Sequence, residues 1–149
     1  MRAALRVAVI GTGSLGKEHA RIYAELAKAG EIVFAGIHDT SPEAARAVAD
    51  RLRVPVFASL AQAAESADAF SIVTPTSTHF AIAKELLLRH RHVLVEKPMT
   101  DDSDDATALV ELARTHGCVL QVGHVERFNP VFQRLQEVAP EPRFIEAHR

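Results

Sequence analysis

Six residues near the amino terminus, Gly11-Thr12-Gly13-Ser14-Leu15-Gly16, fit the pattern GxGxxG. They follow an apolar run at residues 5–10 and open a helical pattern, the context in which such glycines cradle a dinucleotide. There Gly11 permits the tight turn, Gly13 lets a pyrophosphate approach the backbone, and Gly16 lets the helix pack on the strand. Backbone amides and the helix dipole then stabilise the phosphate charge. The whole loop, with Thr12, Ser14 and Leu15, is the expected cofactor contact.

Asp39 stands 23 residues beyond Gly16, where an acidic side chain accepts hydrogen bonds from both hydroxyls of an adenosine ribose. It also repels a 2′-phosphate, and neither Thr40 nor Ser41 is basic, so NAD is expected over NADP. Arg46 keeps NADP open, and a plain turn cap before Pro42 is the alternative for Asp39. Further along are Thr74-Pro75-Thr76-Ser77-Thr78-His79, then Glu96-Lys97-Pro98, then Gly123-His124. Hydroxyls and a proline suit a loop shaped around a ribose or phosphate, and they equally suit an ordinary helix start. Thr74, Pro75, Thr76 and His79 are read as cofactor contacts, with capping or packing as the alternative for His79. Pro98 stiffens the turn that aims Lys97.

The elements that must position these residues alternate along the chain. Strands are predicted over residues 5–10, 32–37, 54–57, 69–73, 93–95 and 119–122, the proline-bearing 54–57 nearer a sheet edge. Helices are predicted from the glycine loop to about Gly30, from Ser41-Pro42 onward, and over 76–89, 103–115 and 130–138. The first helix is expected to bury Leu15, Ile22, Tyr23 and Leu26, with His19 packing on the same stripe. Strand–helix alternation implies an α/β, doubly wound parallel sheet. In such a sheet ligands bind beyond the strand carboxyl ends. Gly11–Gly16, Asp39, Thr74–Thr76, Glu96–Lys97 and Gly123–His124 all fall there.

Composition narrows the classes. The 149 residues carry 17 Lys and Arg against 19 Asp and Glu, so no general electrostatic reason exists to bind nucleic acid or a membrane surface. No apolar run approaches a membrane span, and the one cysteine, Cys118, fits a reducing, cytoplasmic compartment and an inert thiol. The histidines show no metal-ligand spacing, so no metal is expected. Asp101, Asp102, Asp104 and Asp105 surround a helix start, where the dipole stabilises carboxylates.

VAVIGTGSLGKEHARIY, Asp39, SIVTPTSTH, VLVEKPM and QVGHVERFNP occur in this order. Together they resemble the nucleotide-binding half of the glucose–fructose oxidoreductase, inositol dehydrogenase and rhizopine catabolism (Gfo/Idh/MocA) family. The resemblance spans essentially the whole chain and implies a Rossmann domain at residues 1–123. Residues 124–149 are then a connecting helix and the start of a second, substrate-binding domain, so the chain is expected to be an amino-terminal portion. The resemblance makes Glu96 a neighbour of the nicotinamide ribose and Lys97 the catalytic lysine that hydrogen-bonds the substrate hydroxyl. His124 joins the cofactor contacts, with Arg127 toward substrate. The implied activity is hydride transfer between a nicotinamide cofactor and a secondary alcohol of a sugar, cyclitol or nucleotide sugar, by a homo-oligomeric enzyme. The isolated chain is expected to bind cofactor and turn over poorly. A non-catalytic dinucleotide sensor or scaffold is the rival, and Lys97 separates the two.

Overall fold

The computed structural model describes residues 3–138 together with Glu141, Arg143, Phe144 and Glu146. Its first half runs β1 (Arg6–Ile10), α1 (Ser14–Lys28), β2 (Val33–His38), α2 (Pro42–Leu52), α3 (Leu60–Ser66) and β3 (Ala69–Ile72). The second half runs α4 (Thr76–Leu88), β4 (His92–Val95), α5 (Ser103–Thr115), β5 (Leu120–Val122), a 3-10 turn (Val125–Phe128) and α6 (Pro130–Val138). The strands form one sheet in the order β2-β1-β3-β4-β5, every pair parallel. Strand order reverses between β1 and β3, the place where such sheets open a crevice.

Alternation along β1 feeds two cores. Ala8 and Ile10 face one side with Phe70, Leu86, Leu87 and Leu109, and Val9 faces the other with Ala20, Phe34, Ile37 and Val48. Each fully buried leucine contributes roughly 1.5–3 kcal/mol relative to exposure. This two-sided burial explains why the strands read as short continuous apolar runs.

Local signals terminate the helices as expected. The Ser41 side chain caps α2 ahead of Pro42, Asp102 caps α5 by accepting from Asp104 N and Asp105 N, and left-handed Gly30 follows α1. Three readings change. Leu15 and Ile22 are 48% and 45% exposed, and α1 instead buries Gly16, Ala20 and Ala24. A seam of small residues brings its axis close to the sheet, which large side chains would prevent. Residues 54–57 make only an isolated bridge, Val56 to Ile37, beside the β2 edge. Helix α3 was not anticipated, although Ser59 accepts from Gln62 N and the Gln62 side chain accepts from Ala58 N, a close variant of the capping box. The extended segment expected over residues 144–147 and the proline-rich passage 139–142 include positions outside the described residues. Among the described residues, no helix is long and apolar enough to cross a membrane.

Candidate active site

The glycine loop leaves β1 at Gly11, whose φ is +94° and whose N–H donates to His38 O at 2.8 Å. A Cβ there would collide with the Val73 carbonyl, and one at Gly16 would collide with the Gly11 carbonyl. Gly13 has open space where its Cβ would stand, and α1 begins on it without a side-chain cap. The first-turn amides of a helix have no intrahelical partner, so this uncapped end is suited to an anion. Ser14 and Leu15 lie exposed beside it.

Thr12 behaves differently from the rest of the loop. It is buried, and both its N–H and its hydroxyl donate to Asp39 Oδ2 at 2.7 Å. Its hydroxyl is therefore committed to Asp39. Asp39 Oδ1 accepts from Ser41 N at 2.8 Å, so the turn-capping role and the cleft position coexist. Partial burial works to raise the Asp39 carboxyl. The hydrogen bonds from Ser41 and Thr12, with nearby His38, outweigh it and hold the group below its ordinary range. Asp39 is thus an anion at neutral pH.

A cavity of about 390 Å³ opens between Asp39 and the β3–α4 turn. Leu60, Val73, Thr74, Pro75, Thr78 and Ile82 line it, with Gly11 and Gly13 at its rim. Apolar walls beside an acidic residue suit an adenosine. The Thr78 hydroxyl donates to Thr74 Oγ1 at 2.7 Å, which fixes the turn. Thr76 starts α4 and does not line this cavity. Arg46 shares a separate recess with Asp39.

His79 is only 1% exposed, with ring nitrogens 2.9 Å from Thr74 O and 3.0 Å from Pro98 O. Backbone carbonyls flank both ring nitrogens of His79. It ties the β3–α4 turn to the β4–α5 turn, which is the packing alternative.

Beyond β4, Glu96 is buried and Lys97 exposed, and a cis peptide joins Lys97 to Pro98. Glu96 Oε1 lies 3.3 Å from His19 Nε2, and Lys97 N donates to Glu96 Oε2 at 3.3 Å. His19 Nδ1 lies 2.7 Å from Ser71 Oγ. His19, read from the sequence as a packing residue, is therefore a partner of Glu96. The exposed face of its helix could not reveal that partner, which arrives 77 residues later in the chain. Burial pushes the nearby Tyr23 phenol up, opposed by its hydrogen bond with Ser71. A second cavity, of about 620 Å³, is lined by Lys97, Gly123, His124, Arg127, Phe132 and Gln136 among others.

The strand carboxyl ends thus carry an apolar cavity at Asp39, bordered by the glycine loop, and a more polar one at Lys97. A dinucleotide has this layout: an adenosine, a diphosphate and a polar second nucleoside. The residues present fit it, because the open Gly13 flank and uncapped α1 offer the diphosphate a place that a side chain would fill. Among the described residues no group of three or more His, Cys, Asp or Glu could hold a metal ion.

The family model described as an oxidoreductase family with an NAD-binding Rossmann fold (GFO_IDH_MocA) matches residues 5–124. The chain is 41% identical over 146 residues to UDP-N-acetylglucosamine 3-dehydrogenase of Acidithiobacillus ferrooxidans, covering 97% of this chain and 45% of that enzyme. It is 34% identical to an inositol 2-dehydrogenase of Rhodococcus erythropolis over 134 residues, 89% of this chain and 39% of that one. The solved structure of the Acidithiobacillus enzyme superposes with a TM-score of 0.84 at 40% identity, over 92% of this chain and 44% of that one. That of GenD2 from gentamicin A biosynthesis, in complex with NAD, gives 0.85 at 29% identity, over 95% and 40%. The chain spans less than half the length of these relatives. With its glycine loop, acidic β2 terminus and EKP turn in the matched region, it belongs to the Gfo/Idh/MocA oxidoreductases and forms their NAD-binding Rossmann domain.

Proposed function

We propose that this domain serves a dehydrogenase that uses NAD in preference to NADP and oxidises a secondary hydroxyl of a sugar, with a nucleotide sugar as the best-supported substrate class. The observation that carries the proposal is Lys97, exposed on the 620 Å³ cavity beyond β4, along the same edge of the sheet as Asp39. A domain that only sensed a dinucleotide has no need of a lysine there. Bound NAD supplies the hydride acceptor for alcohol oxidation. Lys97 holds the substrate hydroxyl by hydrogen bond and takes up its proton, returning it in the reverse direction. Glu96 fixes the turn from beneath, and His124 and the other residues of the Gly123 turn close the cavity. Arg127 on its wall suits a diphosphate, which a guanidinium binds with paired donors. The likeness to a UDP-N-acetylglucosamine 3-dehydrogenase supports this substrate class. Anionic Asp39 supports NAD by opposing a 2′-phosphate. The proposal includes a cytoplasmic location, for which the single cysteine is the support, and homo-oligomeric assembly, for which the family resemblance is. The domain boundary near residue 123 belongs to it too.

Titration with NADH, followed by fluorescence, is expected to show saturable binding to the chain itself. In an enzyme carrying this domain, Lys97→Ala is expected to lower kcat for NAD-dependent oxidation of a UDP-sugar by about 10²–10⁴-fold, the usual contribution of a positioned acid–base group. Unchanged kcat would refute the catalytic role.

A further inference from the structure

We infer that Glu96 sets the oxidation-state preference of the dinucleotide site, its buried carboxylate favouring the cationic nicotinamide of NAD⁺ over the neutral ring of NADH. The inference rests on the cofactor reading above and deepens it. With an adenosine at Asp39 and a diphosphate at Gly13, the second nucleoside of a dinucleotide would be held at the Glu96–Lys97 turn, since β4 lies beyond β3 in the sheet. Gly123 lines the cavity there, and a Cβ added to it would meet Glu96 Oε1 at 2.5 Å. The carboxylate therefore lies directly under the cavity floor.

Its surroundings leave its charge in place. Glu96 is 8% exposed, and its ion-pair partner among the described residues is the His19 imidazole. His19 Nδ1 hydrogen-bonds with Ser71 Oγ, and Nε2 faces Glu96 Oε1. Lys97 contributes its backbone N–H to the carboxylate, while its side chain stands on the exposed side, where water and salt screen any charge it carries. A buried anion acts through less polarisable surroundings than an exposed cation, so Glu96 dominates at short range. Reduction of NAD⁺ adds a hydride, two electrons and a proton together, and leaves the ring neutral. The Coulomb attraction to Glu96 is present before that step and absent after it.

The test is calorimetric titration of the chain with NAD⁺, NADH and ADP-ribose, for the unsubstituted protein, Glu96→Gln and His19→Gln. Glu96→Gln keeps the shape and removes the charge. It is expected to raise the Kd for NAD⁺ about tenfold relative to that for NADH. That change raises the potential of the bound two-electron couple by about 30 mV. ADP-ribose, which lacks the ring, should bind both proteins alike. His19→Gln perturbs the same network but keeps the carboxylate, and should leave the NAD⁺ to NADH ratio unchanged. Equal weakening of NAD⁺ and NADH by Glu96→Gln, or an unmoved ratio, would overturn the inference. The unsubstituted chain alone can also overturn it, should the ring of NADH tighten binding over ADP-ribose while that of NAD⁺ does not. If none of the three ligands binds the unsubstituted chain, the cofactor reading itself fails and the inference with it.

Discussion

Asp39 was legible from its spacing behind the glycine loop, but the sequence did not disclose how its oxygens are used. Oδ2 already accepts twice from Thr12, and Oδ1 accepts from Ser41. Asp39→Ala should remove both the ribose contacts and this anchor. A lost hydrogen bond to a charged group is worth about 1.5–3 kcal/mol, so the Kd for NADH should rise by roughly 10- to 100-fold. Parallel titration with NADPH should show the preference for NADH shrinking, and an unchanged NADH affinity would refute the assignment. The partners of Thr12, His19 and His79 were not legible for one reason. The partner of a polar side chain is set by tertiary placement, and these partners lie 27, 52 and 19 residues away.

At the scale of elements, residue-type runs disclosed the strands and most helices, because two-sided burial demands continuous apolar stretches. Which face of α1 is buried was not disclosed, because close approach selects alanine and glycine over the larger residues that hydrophobicity favours. Helix α3 was present in Ser59 and Gln62, whose capping pattern is short enough to pass for a loop. The unit most exposed to test is α4, whose buried His79 holds two turns that both face the cofactor cleft. His79→Ala should remove the ring that bridges the Thr74 and Pro98 carbonyls and open a void. An unsatisfied buried polar group costs about 1–3 kcal/mol, so urea denaturation should report a loss of roughly 2–5 kcal/mol. NADH affinity should fall as well, since both turns lose their common anchor.

At the scale of the whole molecule, the parallel sheet separates labour between its two ends. Ligand-facing groups gather at the strand carboxyl ends, while the opposite end carries a structural clasp in which Asp68 accepts from Arg6 N, Nε and Nη2. The hydrogen bond from the Arg6 side chain, opposed by burial and helped by the Arg6 and Arg91 charges, holds the Asp68 carboxyl below its ordinary range. A carboxyl lowered in the folded state stabilises the fold at any pH above its unfolded value of about 3.9. That stabilisation is lost as pH falls through the lowered, folded value. Urea midpoints measured from pH 6 down to pH 2.5 should therefore decline less steeply below about pH 4 for Asp68→Asn than for the unsubstituted chain. Parallel curves would show that the clasp contributes nothing to acid stability. Asp39, lowered for other reasons, should add a decline of the same sign.

The contact between Thr12 and Asp39 bears on how coenzyme choice can change. The carboxylate proposed to receive the ribose also steadies the glycine loop from which Thr12 projects. A replacement at position 39 that removes the charge and leaves no acceptor also strands the N–H and hydroxyl of a buried threonine. Positions 12 and 39 are therefore epistatic: a basic or apolar residue at 39 is expected to need a compensating change at 12, whereas Asn keeps an acceptor oxygen for Thr12.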